Sequence, residues 1–319
     1  MRESGLLLGA VGVLHARMFA LSLTIASATA IADGSAGPVG DYGGRSIGGN
    51  EIRLLDPTVP AIHRIDRTTL STKVQSLSGA DARMDPYGLS LPGDGTIWVL
   101  ADKGRFVFRF SEATGERVEK RRLPEPCQGI ATFWSHTGFL AIRLRPGERM
   151  LLTAENGAFR PFSPLVSRSA AGLPEQLIAN LVRCGSGTAS EIPCWFAAGE
   201  PEVLLVDRSG DVRTIRVPSF ASPSPARGTS REPGVAFTYP VRDAFLLDGG
   251  ALWVLSNQDG DRTPLEEGAR RGRHVSLVRR GRPERTVALA AEARAILDAT
   301  EHALVLLFSD GSIRRVFSR

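Results

Sequence analysis

The chain has 319 residues, 42% of them hydrophobic, with 34 Gly and 20 Pro. That is enough apolar material for a sizeable core, and it excludes the fibrous and disordered classes. The formal net charge is +5, but Lys73, Lys103 and Lys120 are the only lysines. The basic excess is therefore an arginine bias, read first as base composition, and it bears on non-specific association rather than on a site.

The N-terminus reads as an export signal. Arg17 precedes an apolar run from Met18 to Ile25, and the small-x-small patterns Ala28-Thr29-Ala30 and Ala30-Ile31-Ala32 follow it. The run is too short to span a bilayer. Gly5 to Leu14 is apolar as well, so Met18 is an alternative start and an uncleaved anchor an alternative fate. The expected organisation is a signal over 1–32, a flexible leader over 33–50 and one domain over 51–319. The mature chain has no further long apolar segment, which predicts a periplasmic or secreted protein without a transmembrane span.

From there the pattern is strand after strand. Ile62 to Asp66 and Lys73 to Leu77 are short strand candidates, with Glu51 to Leu55 a third. Thr96 to Leu100 is followed by an Asp102-Lys103-Gly104 turn, a strictly alternating Arg105 to Phe110, a Thr114-Gly115-Glu116 turn and Arg117 to Lys120. Period-two alternation cut by Gly- and Asp-containing turns marks short antiparallel strands. Helical periodicity is nearly absent; the Ala- and Glu-rich stretch Ala290 to Leu297 is the one ambiguous segment.

The chain also repeats. Gly95-Thr96-Ile97-Trp98-Val99-Leu100 recurs as Gly250-Ala251-Leu252-Trp253-Val254-Leu255, and more loosely as His302-Ala303-Leu304-Val305-Leu306-Leu307. Gly138 to Ile142 and Pro193 to Phe196 fit the same slot, which centres the repeats near 98, 140, 195, 253 and 305. Such spacing means stacked units that bury their faces against neighbours. The predicted fold class is all-β, a β-propeller of five or six four-stranded blades. Its ring is expected to close by pairing N- and C-terminal strands, which would remove open edges. The stretch Pro86 to Pro124, with its Gly88-Leu89-Ser90 opening, its Trp98 strand and its Thr114-Gly115-Glu116 turn, resembles a blade of the six-bladed NHL-like and TolB-like propellers. That resemblance implies a fold and no particular function.

Cys184 and Cys194 lie ten apart around Gly185-Ser186-Gly187, a spacing that closes a hairpin in an oxidising compartment, so a disulfide is predicted there. Cys127 has no histidine near it in sequence and reads as a buried small hydrophobe. Ser219 to Gly234 and Asp259 to Arg273 have compositions that resist regular structure. The Asn257-Gln258-Asp259-Gly260-Asp261 run fails as a calcium loop, because Arg262 and Gly268 stand where the glycine and the bidentate acid belong. Two arginine clusters, at 270–273 and 279–282, lack interleaved aromatics and read as solvated faces, and no nucleic-acid partner is expected.

No catalytic or metal motif is visible, and His63, His136, His274 and His302 are scattered. Aligning the blades places Tyr87, Gln128, Arg242 and Arg294 just before the innermost strands, where such residues tend to ring one mouth of the channel, with Asp85 and Asp243 beside them. An aromatic, an amide, two guanidiniums and two carboxylates at one mouth of a channel suit a polar or anionic small ligand, or an unknown protein partner. The alternative is that Tyr87 packs, that Arg294 pairs with Asp298 or another acid, and that the channel holds water. The leading functional expectation is an exported, non-catalytic binding propeller with no cofactor. The second is a metal-dependent lactonase or esterase, since gluconolactonase-like propellers resemble this chain in blade pattern; that resemblance implies a divalent metal, for which Asp85, Asp102 and Asn257 are the candidate ligands.

Overall fold

The computed structural model describes residues 44–56, 58–79, 84, 86–133, 136–143, 145–155, 158–162, 165–169, 179–188, 190–196, 200–217, 226–227, 235–236, 240–256 and 272–317. The export segment, Asp85 and Asn257 thus lie outside the described residues, as do most of 219–234 and of 259–273.

The described chain is all-β apart from a few turn residues, and it forms five sheets plus one isolated ribbon. The first sheet is a meander of β1 (Gly44–Gly48), β2 (Glu51–Leu55), β3 (Ala61–Asp66) and β4 (Thr72–Ser76). The second repeats it with β5 (Pro86–Ser90), β6 (Thr96–Ala101), β7 (Phe106–Ser111) and β8 (Arg117–Arg122). The third contains β9 (Cys127–Phe133), β10 (His136–Ala141), β11 (Leu151–Glu155) and β12 (Ala158–Pro161). The fourth contains β13 (Val182–Cys184), β14 (Glu191–Phe196), β15 (Glu202–Asp207) and β16 (Val212–Arg216). A two-stranded ribbon of β17 (Ala226–Arg227) and β18 (Val235–Ala236) interrupts the series.

The fifth sheet has six strands: β19 (Val241–Leu246), β20 (Leu252–Ser256), β21 (Gly272–Arg279), β22 (Arg282–Ala299), β23 (Ala303–Phe308) and β24 (Ile313–Phe317). Its long strand β22 serves twice. Residues Arg282 to Ala288 pair with β21 as the outer strand of the fifth blade, whereas Ala293 to Ala299 pair with β23. Among the described residues the sheets therefore make five four-stranded blades, with β22 to β24 a further three-stranded unit that shares β22. The stretch Ala290 to Leu297, ambiguous in sequence, is strand throughout.

Burial falls from the middle of each blade outward, and this gradient explains the sequence pattern. The second strands, such as β20 with all five residues buried, are covered on both faces and read as continuous apolar runs. The outermost strands β4, β8 and β24 are mostly exposed and alternate. The repeat positions 98, 140, 195, 253 and 305 all fall on second strands, so the repeat seen in sequence is one structural slot.

Two expectations need correction. The first strand begins at Gly44 and pairs with β2, so the domain starts earlier than Glu51 and residues 44–48 are not leader. The ring is also not closed by pairing N- and C-terminal strands, because β1 to β4 form a sheet of their own. Closure is made by side chains instead. Ile52, Leu54 and Ile65 of the first blade share a core with Ala295, Leu297, Val305 and Leu307 of the last. Arg67 then clamps the buried Asp298 carboxylate through two bonds of 2.9 and 2.7 Å, the planar fork that suits a guanidinium to such a seam. This pairing is the largest cause holding the Arg67 pKa above its ordinary value.

Candidate functional site

In each four-stranded blade the chain starts at the innermost strand and works outward, so all inner strands run the same way and begin on one rim. The connections 162–181, 217–240 and 257–271 all leave strand ends on that rim, whereas the other rim carries tight turns such as 49–50 and 280–281. In the latter, Arg280 and Gly281 both take positive φ, 51° and 74°, as a two-residue hairpin of primed type requires.

Four inner strands share a device at their opening. In β5, Pro86 pairs with Ala101 and Gly88 with Leu100, which leaves Tyr87 as the extra residue of a β-bulge. The same slip leaves Gln128 over in β9, Arg242 in β19 and Arg294 in β22. The four residues aligned from sequence therefore occupy one backbone position on four blades. A bulge turns the extra side chain away from the sheet's regular pleat, which is why bulges recur beside sites.

Their side chains are not equally available. Gln128 donates to the Ala141 and Asn180 carbonyls at 3.2 and 3.0 Å and accepts from Val182 N–H at 2.9 Å, so it fastens the third blade to the fourth. Asp243, 5% exposed, accepts from Ala244 N–H at 2.9 Å and from Ile296 N–H at 2.7 Å, and thereby ties the inner strands of the last two blades. Both are seam residues, a role that blade alignment alone does not reveal. Arg242 and Arg294 are half-buried on those adjacent inner strands. Arg294 donates to the Ser309 carbonyl at 2.8 Å, and its expected acid, Asp298, is held by Arg67. Beside it the Ser309 hydroxyl is buried with no hydrogen-bond partner among the described atoms.

The first blade contributes a rim element that sequence reading missed. Asp56 accepts from the Thr58 hydroxyl and amide at 2.6 and 2.8 Å, from Val59 N–H at 3.2 Å, and faces His63 Nε2 at 3.1 Å. Burial opposes its charge, but the donors from His63, Thr58 and Val59 outweigh it and hold the carboxyl well below the usual carboxylate range. An Asp followed two residues later by Thr was the available signal. Asp102, the one described member of the candidate metal set, sits with Lys103 in a turn at positive φ, 52° and 55°. Among the described residues no group of three or more His, Cys, Asp or Glu could hold a metal ion.

The disulfide between Cys184 and Cys194 is present, spanning directly opposed residues of β13 and β14. Cys127 takes no part in the disulfide and is buried, and burial, with Glu125 adding to it, pushes its thiol up to about 12. It is an inert packing group. The cluster at 279–282 is partly neutralised, since Arg279 pairs with Glu284 at 2.9 Å and Glu301 at 2.6 Å.

Comparison with known proteins places the chain among propellers. A streptogramin B lyase structure aligns over 89% of this chain and 85% of its own at 13% identity, with a TM-score of 0.50. The virginiamycin B lyase of Staphylococcus aureus aligns over 87% and 84% at 14% identity, TM-score 0.48. Hydrazine synthase of Kuenenia stuttgartiensis aligns over 89% and 77% at 10% identity, TM-score 0.49. What is shared is the β-propeller fold. No family model matches the chain. No curated protein matches it. No helix among the described residues is long and apolar enough to cross a membrane.

Proposed function

We propose that this protein is an exported, non-catalytic binding propeller of the six-bladed, NHL-like kind, and that it takes a polar or anionic small ligand at the rim where its inner strands begin. The observation that carries this reading is the shared bulge, which sets Arg242 and Arg294 at the same point of neighbouring inner strands. Two guanidiniums so placed match an anion with several acceptor oxygens, a carboxylate or phosphate. Tyr87 takes the same backbone position on the second blade. Gln128 and Asp243 keep the ring rigid, so the site is preformed and binding loses little to reorganisation. The disulfide supports an oxidising address.

The test is a thermal-shift and calorimetric screen of dicarboxylates and sugar phosphates against the mature chain, repeated with Arg242→Ala and Arg294→Ala. A ligand whose binding is lost in both variants, and kept in Arg216→Ala on an outer strand, supports the reading. No anion binding in the screen, or binding that survives both substitutions, overturns it. A tightly held divalent metal in the purified protein would replace it with the hydrolase alternative.

A further inference from the structure

The inner strand of the fourth blade carries an arginine that sequence reading passed over. Arg183, the middle residue of β13, is exposed, although the strand is paired with β14 along one edge. The residue before it, Val182, packs with Leu140, Met150 and Leu151 of the third blade. Neighbours in a strand point to opposite faces, so Arg183 points the other way, toward the fifth blade. A second observation agrees. Arg183 lies directly opposite Trp195, opposed residues share a face, and Trp195 packs with Val241, Ala244 and Leu246 of β19. Outward of it on that face Trp195, Val203 and Ile215 are all buried, so the exposure of Arg183 comes from the inner edge of the blade, where the channel runs.

Its height on the ring follows from the junction with β19. Ser186 bridges Phe245 in parallel register, and Gly185 lies against the Ala244 carbonyl. Counting back three residues along both strands brings Arg183 level with Arg242, to within the one residue that the bulge in β19 adds. Arg294 occupies the same bulge position on the next inner strand, β22. Three consecutive inner strands thus present an arginine at one level. On β13, β19 and residues 293–299 of β22 the acids are Asp243 and Asp298, and both are turned into seams: Asp243 accepts from the Ala244 and Ile296 N–H groups, and Asp298 is clamped by Arg67. Arg183 takes part in none of the ion pairs among the described residues.

We infer that Arg183 is a third ligand-binding residue of the rim site, and that the ligand carries two anionic groups, one held by Arg242 and Arg294 and the second by Arg183. This rests on the rim reading above and narrows it, from any anion to a two-headed one, a phosphorylated sugar acid or a dicarboxylate. One carboxylate or phosphate is matched by two guanidinium forks, and a third fork on a separate blade needs acceptor oxygens of its own. Three cations at one level also repel one another, which favours a partner of higher negative charge over a singly charged one. If Arg183 were only a solvated side chain of the channel, its removal would weaken every anion slightly and equally.

The experiment is calorimetric titration of the full mature chain with 6-phosphogluconate, which carries a carboxylate and a phosphate, and with gluconate and glucose 6-phosphate, which carry one each. The wild type should bind the two-headed probe roughly tenfold or more tighter than either single-headed one, the worth of a charge-assisted contact. Arg183→Ala should abolish that preference with the melting temperature retained, Arg183→Lys should keep part of it, and Arg216→Ala on an outer strand should keep all of it. A preference that survives Arg183→Ala, or equal binding of the three probes by the wild type, overturns the inference and leaves the rim reading standing when Arg242→Ala and Arg294→Ala still abolish binding. Binding that survives those two substitutions overturns the rim reading and the inference with it. Absence of binding by all three probes and by the dicarboxylates of the rim screen overturns both.

Discussion

Two junctions between blades, one on each rim of the ring, are built differently. At the rim where inner strands end, the fourth and fifth blades meet backbone to backbone. Ser186 accepts from Leu246 N–H at 2.9 Å and bridges to Phe245 in parallel, and the Gly185 before it lies so close that a Cβ would collide with the Ala244 carbonyl. At the rim where inner strands begin, Gln128 and Asp243 fasten neighbouring blades through their side chains, and the bulges lie there. The first junction is fixed by close backbone packing, the second by single side chains that can be exchanged one at a time.

If that contrast is right, the largest effect comes from adding atoms to the backbone junction. Gly185→Val must push Ala244 and β19 aside, with Trp195 packed on the same spot, and a destabilisation of about 4 kcal/mol or more is expected. Chemical denaturation would register it, and a variant that melts with wild type would break the comparison. Next comes the disulfide that pins the same hairpin, with a sequence separation of 10. Opening it by Cys184→Ala with Cys194→Ala should cost about 2–3 kcal/mol on loop-entropy grounds, measured as a fall in denaturant midpoint that reducing agent reproduces in the wild type.

At the side-chain junction, Asp243→Ala removes the acceptor of the buried Ile296 N–H. A stranded buried donor costs about 1–3 kcal/mol. Hydrogen exchange should show the protection loss concentrated in β19 and the second half of β22. Uniform loss across all blades would mean that the seam is not a local joint.

What the sequence makes legible follows from the same physics. Second strands such as Thr96 to Ala101 and Leu252 to Ser256 are covered on both faces, so their apolar runs stand out and set the repeat. Counting back from them reached Tyr87, Gln128, Arg242 and Arg294, although nothing in the residue types announced a bulge. The first strand was missed because Gly44-Arg45-Ser46-Ile47-Gly48 has neither β-branched density nor alternation. The dual use of β22 was missed because Ala and Glu favour helix locally, and only pairing with β21 and β23 overrides that preference. Ring closure rests on Arg67 and Asp298, separated by 231 residues, and no local pattern reports such a pair. The seam roles of Gln128 and Asp243 are equally non-local, so the residue types suggested a ligand where the fold needed a fastener.

The smallest effect expected is on the first blade, where Asp56 braces the turn between β2 and β3. Its folded-state pKa lies below the unfolded value, so the contribution to stability is fully present above the ordinary aspartate range near pH 4 and is lost as pH falls through that range toward the depressed value. Acid should therefore erode the stability of the wild type more steeply than that of the Asp56→Asn variant, which has no carboxyl to protonate. At pH 7 that variant should lose about 1 kcal/mol, the worth of a charged acceptor exchanged for a neutral one, and the difference from wild type should shrink as the wild-type carboxyl takes up its proton. A gap that stays constant from pH 7 down to pH 3 would mean that the brace is a matter of shape rather than charge. In that case this turn would be held by packing, like the junction of the fourth and fifth blades, and the contrast between close packing and single side chains would not extend to it.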